Sequence, residues 1–281
     1  MSPASQPVKV MGVINVTPDS FSGDGRSGDL GGAILQARRL IADGADILDV
    51  GGESTRPGAE PVSEADEIDR VVPLIRAVRA ESAIPISVDT MKPAVARAAM
   101  AAGATTWNDV TALRHSPESL VTAAKLGCDV VLMHMQGEPG TMQAEPRYED
   151  VVSEVADFLA ERAQVAMAAG VTRERIWLDP GVGFGKHRTR HNLPLLAGLD
   201  RIVALGFPVL LGVSRKSFIG AVDGVSGPAD ERLGGSIAGA LAGAAAGVAA
   251  VRVHDVRETV QALRVWRAIE AARPSRAGTA P

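Results

Sequence analysis

Short runs of apolar residues recur along the chain, separated by longer amphipathic stretches. VKVMGVI, DILDV, IPISV, TTWN, DVVLM, RIWL, PVLLGV and AVRV are the strand candidates. Their nearly continuous apolar character is what parallel strands show when both faces of a sheet are covered. Between them lie GGAILQARRLIADG, SEADEIDRVVPLIRAVRAE, KPAVARAAMAAG, VVSEVADFLAERAQVAMAAG and DVRETVQALRVWRAIEAA, which read as helices. Several end in glycine, a common helix C-terminal residue. Ser63 with Asp66 has the spacing of a capping box. Alternating strands and helices predict parallel strands joined by crossover helices. About eight such units predict closure into a single-domain α/β fold, a (β/α)8 barrel of the TIM type.

The chain of 281 residues fits one barrel, with no internal repeat or linker. Only the stretch beyond about Ala272, rich in Pro, Arg, Gly and Ser, reads as a frayed tail. A net charge of −4 argues against a broad nucleic-acid or acidic-membrane surface, so an anion must be caught locally. The start, MSPASQPVKVMG, does not read as a secretion signal. The Ala-rich LGGSIAGALAGAAAGVAAV reads as a buried packing helix, because its residues are too small and it runs into a strand. Cys128 stands alone in an apolar run; it fits a buried apolar role and a reducing cytoplasm.

Each apolar run ends in groups a buried core would not tolerate: Asn15, Asp49 with Glu53, Asp89, Asn108 with Asp109, His134, Asp179, Ser214 and His254. In a barrel these ends share one face, where chemistry occurs. Polar residues also follow strands to cap helices. Asp49, which precedes two glycines, is read as holding its own loop, and Asp109 as bracing its own turn. Asp89 and Asp179 are read as functional.

The loops NVTPDSFSGDG and GGESTRPGAEPVSE are long and rich in glycine, proline and hydroxyls, as mobile lids are. Arg56 is their strong anion-binding group, Ser54 and Thr55 can donate to phosphate, and Phe21 and Pro57 offer apolar surface. The Asn15 carbonyl oxygen is a hard ligand suited to Mg2+ held mainly by water and phosphates, or else bridges backbone groups. DPGVGFGK lacks the context of a dinucleotide site and leaves Phe184 to wall a pocket. Arg215 and Lys216 stand at a helix start, where anions are favoured. Arg252 and His254, two apart, share a strand face if the strand persists, and an Arg amid valines fits a recognition role. The histidines of HRTRH are read as part of a solvated loop, and Met133, Met135 and Met142 as packing and lid residues rather than metal ligands.

Together NVTPDSFS, GGESTRPGA, SVDT, NDV, LMHMQGEPGTMQ, DPGVGFGK, HNL, GVSRKSF and RVHDV resemble the dihydropteroate synthase family in order and spacing, from Val10 to about Ile269. The resemblance implies a transferase of folate biosynthesis. It joins p-aminobenzoate to 6-hydroxymethyl-7,8-dihydropterin pyrophosphate, releases pyrophosphate and forms 7,8-dihydropteroate. It also implies a pterin site drawn from Asp89, Asn108, Asp179, Lys216 and Arg252, with Met133 among the residues that contact substrate. Asp179 would accept from paired ring donors, Lys216 donate to the ring and Arg252 lie on its face.

Asn15 with Mg2+, Arg56, Arg252 and His254 would meet the pyrophosphate, and Asp89 would stabilise a methylene cation. Phe21, Thr55, Pro57, Phe184, Ser214 and Lys216 would form the aminobenzoate subsite. Asp89, Lys216, Arg252 and His254 are thus the catalytic candidates. Family members are commonly dimers and bind sulfonamides in that subsite, so a cytoplasmic homodimer is expected, its last helices supplying the contact. The first loop departs from the family pattern: FSGDGR stands where FSDGG is usual, so no role is carried over to Asp24. A methyltransferase acting on a folate in a similar barrel and a silent pterin-binding paralogue are the alternatives.

Overall fold

The computed structural model describes residues 7–17, 30–54, 60–137, 140–224 and 227–273. All eight expected strands form: β1 (Lys9–Asn15), β2 (Ile47–Gly51), β3 (Ile86–Asp89), β4 (Thr106–Asp109), β5 (Asp129–Met133), β6 (Ile176–Asp179), β7 (Leu210–Gly212) and β8 (Ala250–Val253). They pair in parallel in the order β6-β5-β4-β3-β2-β1-β8-β7. A parallel bridge between Leu178 and Val209, with the Leu178 amide donating to Pro208 at 2.9 Å, joins β6 to β7 and completes the ring.

The crossovers use α1 (Leu30–Ala42), α2 (Glu64–Glu81), α3 (Pro93–Ala102), α4 (Ser119–Leu126) and α5 (Val151–Ala168). Two short helices, α6 (Asn192–Ala197) and α7 (Leu199–Val203), follow β6. Then α8 (Ser217–Asp223) and α9 (Leu233–Ala246) link β7 to β8, and α10 (Val256–Ala271) follows. The Ser63 hydroxyl accepts from the Asp66 amide, so the predicted cap is made. Gly103, Gly127 and Gly247 end α3, α4 and α9 in the left-handed conformation.

Side chains alternate along a strand, and the alternation sorts the core into two shells. Leu48, Val50, Val88, Trp107, Leu132, Leu178, Leu211 and Val251 face outward into the large cluster shared with the helices. Met11, Ile47, Val131, Leu210 and Ala250, with Trp177 beside them, fill the inside of the barrel. The Ala-rich segment forms α9, whose Gly235, Gly239 and Gly243 lie so close to Ile219, Val213 and Leu211 that an added methyl would collide. Its small residues therefore serve close packing, as read from the sequence. Among the described residues no helix is long and apolar enough to cross a membrane.

Lys92, at the start of α3, is buried and donates to Glu53 at 2.6 Å, Glu67 at 2.7 Å and the Val62 carbonyl at 2.7 Å. The clamp joins both ends of the loop after β2 to α2. Glu67 has no solvent exposure. Removing its cation leaves an uncompensated buried charge, so Lys92→Met should lower stability by about 3–5 kcal/mol. Adding Glu67→Gln should recover part of that loss, as read by chemical denaturation.

Candidate active site

The alternation that turns Met11, Ile47, Val131, Trp177, Leu210 and Ala250 inward also turns inward the residues two and four positions further on. These are Asn15, Asp49, Met133, Asp179, Ser214 and Arg252. Strand pairing sets Ser87 beside Asp49 and Asn108 beside Asp89 on the neighbouring strands. A short apolar plug thus carries a polar layer, at the C-terminal ends where barrel enzymes work.

Arg252 organises this layer. Its Nε donates to Asp49 at 2.6 Å and its Nη2 to Asp89 at 2.8 Å. The Asn108 side chain donates to Asp49 at 3.4 Å. Asp49 therefore faces the barrel interior rather than holding its own loop, correcting the sequence-based reading. That expectation failed because Gly51 and Gly52 signalled a turn, while the strand period already set Asp49 inward. Its Oδ1 is buried with no hydrogen-bond partner.

Burial pushes Asp89 up to about 7, against the pull of Arg252 and with help from Asp49, Glu67 and Asp109. Burial opposes the charge on Arg252, but Asp49 and Asp89 outweigh it and its pKa rises. Asp109 acts as expected, accepting from the Thr111 amide and hydroxyl, both at 2.7 Å, and from the Leu113 amide at 2.9 Å.

Asp179 ends β6 and is buried. One of its oxygens accepts from the Gly181 amide at 2.7 Å. Burial raises its pKa while Lys216 opposes the rise. Burial lowers Lys216 to about 8, resisted by Asp179. The Lys216 ammonium donates to the Val182 carbonyl and lies 4.3 Å from the centre of the Phe184 ring. Of the two adjacent cations only Lys216 joins the site: Arg215 is held by Asp255 at 2.5 and 3.1 Å. Ser214 lies 3.0 Å from His254 Nδ1. Met133 is buried with Val110, Met135 and Met142, and Phe184 packs on that cluster.

The structure thus gathers Asp89, Asn108, Arg252, Asp179, Lys216 and Phe184 at one end of the barrel, with Ser214 and His254 beside them. Asn15 sits at the end of β1, paired with Gly51. Phe21, Asp24, Thr55, Arg56 and Pro57 lie outside the described residues.

Sequence reasoning gave no role of its own to Lys186, the last residue of DPGVGFGK, which is buried at the end of the loop after β6. Inside an exposed-looking GKHRTRH stretch it gave no signal. His191 is also buried, and its Nδ1 accepts from the His187 amide at 3.1 Å, so this stretch is partly packed rather than simply solvated. The buried Cys128 has its thiol pushed up to about 11 by burial, which suits an inert apolar role.

Residues 11–254 match the family model described as pterin binding enzyme. The chain belongs to this pterin-binding family. It is 47% identical over 260 residues to dihydropteroate synthase of Haemophilus influenzae, covering 92% of this chain and 93% of the relative. A solved Xanthomonas albilineans dihydropteroate synthase with 4-aminobenzoic acid superposes with a TM-score of 0.89 at 49% identity, over 96% of this chain and 95% of its own. The Yersinia pestis enzyme, solved in a sulfonamide drug complex, gives 0.89 at 44% identity, over 95% of each chain.

Because Asp89 holds its proton up to about 7 in the folded protein but only to its ordinary 3.8 when free, the native state carries an extra proton between those values. The unfolding free energy therefore falls as pH rises through that window. Asp89→Asn should flatten this slope. Denaturation curves taken from pH 4.5 to 7.5 measure it, and an unchanged slope would assign the proton elsewhere.

Proposed function

We propose that this polar layer binds the pterin of 6-hydroxymethyl-7,8-dihydropterin pyrophosphate and that the chain acts as a dihydropteroate synthase, joining the pterin methylene to the amine of p-aminobenzoate. The observation that carries the reading is the set formed by Asp179, Asn108, Lys216 and Arg252 at one end of the barrel. A pterin presents N–H and amino donors along one edge. A carboxylate accepts such a pair, an amide donates and accepts, and a planar guanidinium stacks on a flat ring.

In the reaction the carbon–oxygen bond to pyrophosphate breaks with its electron pair. The positive charge on the methylene is shared with the dihydropterin ring, and the aromatic amine attacks that carbon and then loses a proton to water or to the released pyrophosphate. Asp89 supplies negative charge near that carbon, an electrostatic stabilisation needing no covalent step. The amine is already uncharged near neutral pH, so no strong general base is required. Positioning two substrates is the larger task. Arg252, His254 and Arg56 are assigned to the pyrophosphate. Phe184, Lys216 and Ser214, with Phe21, Thr55 and Pro57, are assigned to the aminobenzoate, the subsite a sulfonamide would contest.

Among the described residues no group of His, Cys, Asp and Glu is arranged to cage a metal ion. The Asn15 amide oxygen fits a Mg2+ that arrives on the pyrophosphate and keeps most of its oxygen ligands from water and phosphate. When bound, that ion would offset charge on the leaving group. A homodimer is consistent with the exposed Val265 and Ile269 of α10, four residues apart. A cytoplasmic setting is consistent with the lone buried thiol.

Purified protein supplied with the pterin pyrophosphate, Mg2+ and p-aminobenzoate should release pyrophosphate and form dihydropteroate in equal amounts. Absence of both would overturn the proposal. Asp179→Asn replaces an acceptor with a donor facing donors. By calorimetry it should weaken pterin binding about a hundredfold or more, from two charge-assisted bonds each worth about 1.5 kcal/mol or more. Near-normal affinity would show that Asp179 is not the pterin anchor.

A further inference from the structure

The loop Gly181–Lys186 leaves β6 with Gly181, Gly183 and Gly185 all in the left-handed conformation, at φ of 65°, 84° and 59°. A Cβ on Gly181 would overlap the His134 carbonyl, and one on Gly185 the Gln136 carbonyl. The loop is thus pressed against the end of β5 and turns its carbonyls in several directions. Each of the five carbonyls from Gly181 to Gly185 is met by a side chain. Lys216 donates to Val182, the Gln143 amide to Gly183 at 2.5 Å and the Tyr148 hydroxyl to Gly185 at 2.8 Å. Lys186 donates to the other two, Gly181 at 2.9 Å and Phe184 at 3.0 Å.

Lys186 is 1% exposed, and no carboxylate touches its ammonium group among the described residues. Its remaining close neighbours both belong to His134, the ring Nδ1 at 2.8 Å and the backbone carbonyl at 3.4 Å. That ring is packed edge-on against Phe158. A lysine is costly to bury, so one buried against two loop carbonyls, the His134 carbonyl and a ring nitrogen serves the shape of that loop and its seat on the end of β5. The same loop carries the Phe184 ring and the Val182 carbonyl that receives Lys216.

We propose that Lys186 is a positioning residue for the aminobenzoate half of the site. It fixes the loop that presents Phe184, by holding the carbonyls of Gly181 and of Phe184 itself. The inference rests on assigning Phe184 to that subsite. Asp179 is held in β6 by pairing with Met133 and meets the loop only through the Gly181 amide at its first residue, so the pterin anchor depends less on this loop than Phe184 does.

The test is Lys186→Met, which keeps the length of the side chain and removes its donors, beside Tyr148→Phe, which removes one outer tie from the same loop. Wild-type dihydropteroate formation is measured first, and its absence would count against the proposed function rather than against Lys186. In Lys186→Met the KM for p-aminobenzoate should rise about tenfold or more, while calorimetry shows pterin affinity within about threefold of wild type. Tyr148→Phe should shift the same KM in the same direction by about twofold to threefold. A folded Lys186→Met with an unchanged aminobenzoate KM, or with both substrates weakened alike, would overturn the proposal. If that variant does not fold, an unchanged KM in Tyr148→Phe overturns it instead.

Discussion

Arg252 brings a guanidinium into the barrel, where Asp49 and Asp89 meet it at 2.6 and 2.8 Å. Much of the site depends on this bridge. Taking an arginine or a carboxylate out of water costs several kcal/mol per ion unless the charges are paired and hydrogen-bonded. Here one cation serves two carboxylates from different strands, so β2, β3 and β8 are tied together across the interior. Asp89 is left with a pKa of about 7 and Asp49 with one oxygen unpartnered. A ligand supplying donors, or drawing Arg252 onto its own surface, would change the charge balance of the whole layer. The bridge is both a structural tie and a set of groups ready to exchange partners.

The second lysine-bearing layer works on backbone rather than on charge pairs. Lys216 and Lys186 together bind three of the carbonyls of the loop after β6. The glycines allow the loop to lie against β5, and the lysines hold its carbonyls in directions the strand ladder cannot use. The ring of Phe184 is set by that backbone. A flat aromatic substrate needs such a wall at a defined angle, because orienting two reactants is worth more here than any proton transfer.

The strands were legible in the sequence because burial on both sheet faces makes a parallel strand a continuous apolar run. Asp89, Asn108, Asp179 and Arg252 were legible because each interrupts or ends such a run. Asp49 was misread: the two glycines after Val50 resembled a simple turn, although alternation within β2 already turns Asp49 to the same inner face as Ile47. His191 was read as solvated and Lys186, the last residue of DPGVGFGK, was given no role of its own, because the polar stretch that holds them offers no periodicity to separate a buried side chain from a solvated one. The Lys92 clamp was equally hidden, since Glu53, Glu67 and Lys92 come from separate segments and meet only in the folded chain. Pairing between distant charges has no local pattern.

A crystal structure of the chain with the dihydropterin pyrophosphate bound tests this arrangement most directly. The pterin N–H edge should lie about 3 Å from the Asp179 carboxylate, with the Arg252 guanidinium over the ring face and the pyrophosphate toward Asn15 and His254. A pterin bound elsewhere, or one whose donor edge faces away from Asp179, would contradict it.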